Sequence, residues 1–117
     1  MEKLSEGEWK LMELLWEESP INSTLLVSRC QERLNWSKST TYTVIRRLCR
    51  KGAAANEEAT VTPLVTRGEV LKAQGEELSR QAGGLSPFLT AFFSGRRLTQ
   101  KEAEELKQLI DQHTWEG

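Results

Sequence analysis

The residues able to make or break bonds are few. His113 is the single histidine, and the two cysteines, Cys30 and Cys49, stand nineteen positions apart with no CxxC or Cys/His grouping around them. Zinc and iron–sulfur sites need clustered ligands, and a disulfide framework needs more than one pair, so the spacing excludes both. There is no Gly-rich phosphate loop and no Ser/His/Asp or Cys/His set from which to assemble an active site. The expectation is a protein that is not an enzyme and holds no cofactor and no metal. His113 reads as a cation at a helix end, and the cysteines read as packing residues in a reducing cytosol. Trp9, Trp16 and Trp36 read as core anchors, and Trp115 as tail or dimer edge.

What remains is charge, unevenly placed. Sixteen Lys+Arg against 17 Asp+Glu leave a net charge of −1, which excludes a uniformly basic nucleic-acid coat. Yet Trp36 to Gly52 holds five basic residues and no acid. Ser37 can cap a helix running to Lys51, with Gly52 as its stop. At 100° per residue, Thr41, Val44, Ile45 and Leu48 share an apolar arc. Ser39, Thr43, Arg46 and Arg50 share the opposite face, flanked by Tyr42 and Arg47. The short side chains Ser39, Thr40 and Thr43 let the backbone approach bases and phosphates in a major groove about 12 Å wide. Arg46, Arg47, Arg50 and Lys51 can neutralise phosphates or reach guanine edges. A solvated charged face on a core helix is the plain alternative.

The elements that must position this helix are legible as start and stop signals. At 117 residues the chain has room for one ordinary domain, or a small domain with an appendage. Ser5 and Glu8 form a capping box, with Leu4 placed to staple onto Trp9, and a first helix reaches about Glu18. Asn22 caps a second helix ending near Asn35, with Leu26, Cys30 and Leu34 on its inner face. After Gly52 the short run to Thr62 reads as a small, weak hairpin. Three helices, the third basic on its free face, followed by a two-stranded flap, is the order of a winged helix-turn-helix over residues 1–65. The fold class is therefore mainly α, with a short β-wing and a helical region behind it.

That region, residues 66–117, carries seven basic and eight acidic residues. Thr66–Glu69 is a second capping box opening a helix to about Gln81, Ser86-Pro87 opens a short fifth helix, and Thr99–Glu102 opens a sixth ending near His113. Phe88, Leu89, Phe92 and Phe93 put more apolar surface on a short helix than a free-standing appendage can carry. A second copy would bury it, and Leu71, Leu78, Leu106, Leu109 and Ile110 join this dimerisation set. Two-fold pairing also suits a groove-reading helix, because half-sites about 34–36 Å apart reinforce a weak single contact. Folding back onto residues 1–65 is the alternative. No apolar run approaches the roughly 20 residues of a membrane span, and Met1 to Glu6 lacks the apolar region of a secretion signal. The expected location is the cytoplasm, without membrane insertion.

These residues are similar to a known pattern. Leu4-Ser5-Glu6-Gly7-Glu8-Trp9, Leu15-Trp16, Asn35-Trp36-Ser37, Thr43-Val44-Ile45-Arg46-Arg47-Leu48, Lys51-Gly52, Pro63-Leu64-Val65, Gly84-Leu85-Ser86-Pro87 and Leu98-Thr99-Gln100-Lys101-Glu102 occur in order along nearly the whole chain. The succession resembles the penicillinase-repressor family of the BlaI/MecI type. The resemblance implies a homodimeric winged-helix transcriptional repressor. Its N-terminal half would bind a palindromic operator in double-stranded DNA, and its C-terminal helices would make the dimer. It places Ser39, Thr40, Tyr42, Thr43, Arg46 and Arg47 at recognition-helix positions, with Thr40, Thr43 and Arg47 keeping the expected identity.

Two departures stand out. The family motif has Pro after Trp-Ser, then Lys, Thr and often a basic residue two further on; here Lys38, Ser39, Thr40 and Tyr42 stand instead, which implies a different base preference. The family's wing is longer, with aromatic strands and a Gly-Arg tip, whereas Gly52–Thr62 is short and offers Glu57 and Glu58. The expectation is a vestigial or distorted wing contributing little affinity. In antibiotic-responsive members a membrane sensor protease system leads to cleavage in the dimerisation segment, and the matching bond is Ala91–Phe92. The cysteine-rich tail of copper-responsive relatives is missing, which disfavours a metal sensor. The competing reading is a winged-helix protein–protein interaction module that binds no DNA, favoured by Glu57 and Glu58 and opposed by the acid-free third helix.

Overall fold

The computed structural model describes residues 1–116; Gly117, the last residue of the expected C-terminal region, lies outside them. Helix α1 spans Glu6–Glu17 and begins with the expected box: Ser5 Oγ accepts from the Glu8 N–H, and Glu8 Oε1 accepts from the Ser5 N–H. Its inner face, Leu11, Met12, Leu14 and Leu15, is buried. Trp9 and Trp16 sit edge to face with centroids 5.5 Å apart. The Arg67 guanidinium lies 4.9 Å from the Trp16 ring, and Trp16 Nε1 donates to the Val65 carbonyl at 2.8 Å. The tryptophans thus tie α1 to a segment 49 residues away through polar as well as apolar contacts.

Strand β1 is Ile21–Asn22, and α2 follows over Ser23–Leu34 with the Asn22 side chain accepting from the Thr24 N–H. Asn35 ends α2 in the left-handed region at φ 55°, where a short polar side chain is tolerated. Arg29 Nε meets Glu18 at 2.9 Å and Arg33 pairs with Glu17, bridging the end of α1 to α2. Helix α3 covers Lys38–Arg50 from its Ser37 cap, with Thr41, Val44, Ile45 and Leu48 buried as the pattern required.

Strands β2 (Ala54–Glu57) and β3 (Thr60–Pro63) form an antiparallel hairpin, with Glu57 opposite Thr60 and Ala54 opposite Pro63. Two findings correct the expectation of a distorted flap. The register is unbroken, with a two-residue turn in which Glu58 and Ala59 both take positive φ, 51° and 61°. Such a turn matches strand twist even though neither residue is glycine. In addition β1 pairs antiparallel with β3, Ile21 against Val61, giving a three-stranded sheet in the order β1-β3-β2. The wing is short but firmly rooted, its base sealed by Ala53, Ala54 and Val61 in the core.

Helix α4 (Arg67–Ala82) opens with the Thr66–Glu69 box and buries Val70. Helix α5 spans Leu85–Phe93, two residues earlier than a helix with Pro87 at its first position, because the chain turns at Gly84 (φ 134°) without a side-chain cap. Helix α6 spans Gln100–Gln112 and opens with the Thr99–Glu102 box. The chain forms two compact units, Met1–Glu77 and Leu78–Gly117, dividing inside α4. Among the described residues no helix is long and apolar enough to cross a membrane.

Candidate nucleic-acid interface

The site is the outward face of α3, and local hydrogen bonds set its shape. Ser37 Oγ accepts from the Thr40 N–H at 3.1 Å and donates to Thr40 Oγ1 at 3.0 Å, so one hydroxyl caps the helix and orients the next. Thr41 Oγ1 donates back to the Ser37 carbonyl. One turn on, Thr43 Oγ1 donates to the Ser39 carbonyl at 3.0 Å and accepts from Arg46 Nη2 at 3.3 Å. Ser39, Thr40, Arg46, Arg47 and Arg50 are exposed with Lys38, and Thr43 is half-buried. These side chains share one side of a helix whose other side is core, so a polar, cationic surface is held on a rigid support.

Two of the expected residues are held elsewhere. Tyr42 is half-buried, and its hydroxyl donates to Ser23 Oγ at 3.3 Å, at the start of α2. Lys51 turns inward: its Nζ lies 2.7 Å from Glu8 Oε1 and donates to the Lys3 carbonyl at 2.7 Å. Glu8 is 1% exposed. Burial pushes its carboxyl up, but the hydrogen bonds from Lys51 and Ser5 outweigh that and hold it below the ordinary carboxylate range. A cleft of about 300 Å³ beside this pair is lined by Glu2, Ser5, Glu8, Arg47, Arg50 and Lys51. The sequence signals a basic run here, but a partner 43 residues away leaves no local trace.

The wing tip carries Glu57 and Glu58, both exposed. Burial raises the pKa of the Cys30 and Cys49 thiols above the ordinary thiol value. His113 places Nδ1 2.8 Å from the Leu109 carbonyl at the end of α6. No group of three or more His, Cys, Asp or Glu able to hold a metal occurs among the described residues.

The residues expected to pair two chains are exposed or half-buried. Leu71, Leu78, Phe92, Leu109 and Ile110 are each about half exposed or more, Phe93 is 36% exposed, and Phe88, Leu89 and Leu106 are half-buried. Phe88, Phe92 and Phe93 form a chain of ring contacts, with Arg96 4.5 Å above Phe92. A groove of about 600 Å³ between α5 and α6 is lined by Leu89, Phe92, Phe93, Arg96, Leu98, Glu102, Glu105, Leu106 and Leu109. Ala91 and Phe92 are exposed within α5.

The order α1-β1-α2-α3-β2-β3, with β1 and the hairpin in one sheet and the third helix outward, defines a winged-helix protein. The sequence model of the penicillinase repressor family matches residues 4–112, and the chain belongs to that family. It is 23% identical over 117 residues to the penicillinase repressor of Bacillus licheniformis, covering 95% of this chain and 91% of that protein. It is 24% identical over 115 residues to the methicillin resistance regulatory protein MecI of Staphylococcus aureus (strain N315), covering 93% and 94%. In structure it is similar to the DNA binding domain of the repressor BlaI, with a TM-score of 0.53 and 26% identity over 59% of this chain and 93% of that one. The monomeric form of Bacillus licheniformis BlaI in complex with the blaP half-operator matches with a TM-score of 0.50 and 26% identity, over 58% and 88%.

Proposed function

We propose that the chain is a homodimeric, sequence-specific DNA-binding transcriptional repressor that reads a palindromic operator through α3. Residues 1–65 serve as the DNA-binding domain and residues 66–117 as the dimerisation region. The observation that carries this reading is the outward face of α3, where Lys38, Arg46, Arg47 and Arg50 surround the hydroxyls of Ser39, Thr40 and Thr43 with no acid on the same helix. The hydroxyls and guanidiniums supply base-edge contacts, and Lys38 together with those guanidiniums that do not reach a base supplies phosphate contacts. That a relative is solved on a half-operator supports the mode of docking. The apolar side chains of α5 and α6 support pairing, which in a two-fold dimer presents two reading helices to two half-sites.

Cleavage of Ala91–Phe92 by a membrane sensor protease system would cut α5 within the dimerisation region and release the operator by splitting the pair. Incubation with such a protease and mass measurement of the fragments tests this directly. The reading as a whole is tested by titrating a duplex bearing the inverted repeat beside the chain's coding region at several salt concentrations. Four outward cations in each of two subunits set a ceiling near −7 for the slope of log K against log[salt], at about −0.9 per phosphate. A slope near zero, or equal affinity for an unrelated duplex, would leave the exposed Glu57 and Glu58 as the better guide and favour a protein–protein module instead.

A further inference from the structure

Glu8 is the one charged residue buried among the described residues, and its Oε2 has no hydrogen-bond partner. An acid so placed is unfavourable unless something compensates it. The capping role does not require burial: the same box is built at the surface by Thr66–Glu69 and by Thr99–Glu102. What distinguishes Glu8 is Lys51, which stands at the C-terminal cap of α3 and closes onto it at 2.7 Å. The pair lines the same cleft as Arg47 and Arg50, four and one residues before Lys51.

We propose that Glu8 and Lys51 are positioning residues for operator reading: they clamp the last turn of α3 to the first turn of α1 and so set the angle at which Arg47 and Arg50 meet the duplex. Lys51 is then not a phosphate ligand, despite lying in the basic run. The proposal rests on the DNA-binding reading above. It reverses the sign expected from charge alone, since removing an acid close to a phosphate-binding surface should strengthen binding to any duplex.

The test uses the full chain. Glu8→Gln keeps an oxygen for the Ser5 N–H and removes the charge. Its affinity for the inverted-repeat duplex should fall about fivefold or more, the size of one impaired base contact, while affinity for an unrelated duplex holds or rises. Lys51→Arg should keep most of the specificity ratio. In Glu8→Gln/Lys51→Met, which removes both charges, the salt slope should match the wild type. A slope shallower by about 0.9 per subunit would make Lys51 a phosphate contact and overturn the proposal, as would unchanged specificity in Glu8→Gln. A readout without DNA separates this from failure of the repressor reading: amide exchange at Cys49–Gly52 should accelerate in Glu8→Gln while β2 and β3 stay protected. Unchanged exchange there overturns the clamp even if the wild type binds its operator, and a wild type that ignores the operator overturns the repressor reading while exchange still decides the clamp.

Discussion

The two compact units treat apolar surface in opposite ways. Met1–Glu77 encloses Leu11, Met12, Leu15, Leu26, Ile45, Leu48, Val61 and Val70 almost completely, whereas in Leu78–Gly117 no described residue is buried. Helices of 9 and 13 residues, the lengths of α5 and α6, are marginal in water without an apolar face packed against something. The first unit is therefore complete as a fold, and the second is a surface in search of a lid. If the proposed roles hold, reading belongs to the first unit and pairing to the second, and each should fail in its own way.

The sharpest test of that difference is truncation. Leu15→Ala, at a position with no exposure, should cost about 2–5 kcal/mol in urea unfolding of the whole chain. Ile110→Ala, at 61% exposure, should change unfolding of the monomer by no more than about 0.5 kcal/mol. Equal losses at dilute concentration would mean that the second unit has a core of its own and would break the comparison.

Next in size is pairing. Phe92→Glu replaces an apolar ring at the centre of the aromatic chain with a charge, and should weaken the dimer by about 1.5–3 kcal/mol per copy. Sedimentation equilibrium reads the shift. Binding to a single half-site should survive while the cooperative advantage of the full operator disappears. Arg47→Ala should do the reverse, leaving sedimentation unchanged and lowering operator affinity by about 1–3 kcal/mol if the guanidinium reaches a base edge, and by less if it touches only phosphate.

How much of this was visible in the residues depends on distance along the chain. The boxes at Ser5–Glu8, Thr66–Glu69 and Thr99–Glu102 and the two faces of α3 were legible because donors, acceptors and apolar steps lie within one or two turns. The β1 strand was not, since two residues carry no alternation and acquire their identity from Val61, forty positions on. The partner of Lys51 was hidden for the same reason: composition placed it in a basic run, and only the fold delivers Glu8 to it. Helix α5 began two residues early because Gly84 made the turn and no side chain marked the start.

A smaller effect follows from acid. Glu8 is held below its ordinary value of 4.5 in the folded chain, so its contribution to stability is fully present above that value and is lost as pH falls through the lower folded value. Unfolding of the wild type should therefore become easier in acid below about pH 4, and the Glu8→Gln variant should show a flatter pH profile there. Identical profiles would show that the pair does not help hold the first unit together.

The least effect belongs to the wing, which is expected to contribute little affinity. A distorted flap would contribute nothing; a hairpin in unbroken register, anchored through β3 to β1 and the core, holds Glu57 and Glu58 at a set place. Fixed acids next to a duplex oppose binding, by at most about 1 kcal/mol per charge in water. Glu57→Lys leaves the positive-φ turn at Glu58 and Ala59 untouched and reverses one charge per subunit. With the exposed charge screened by salt, it should raise affinity less than tenfold per half-site and steepen the salt slope by about one phosphate per subunit. An unaltered slope would place the tip clear of the backbone, leaving α3 alone to set affinity in the first unit.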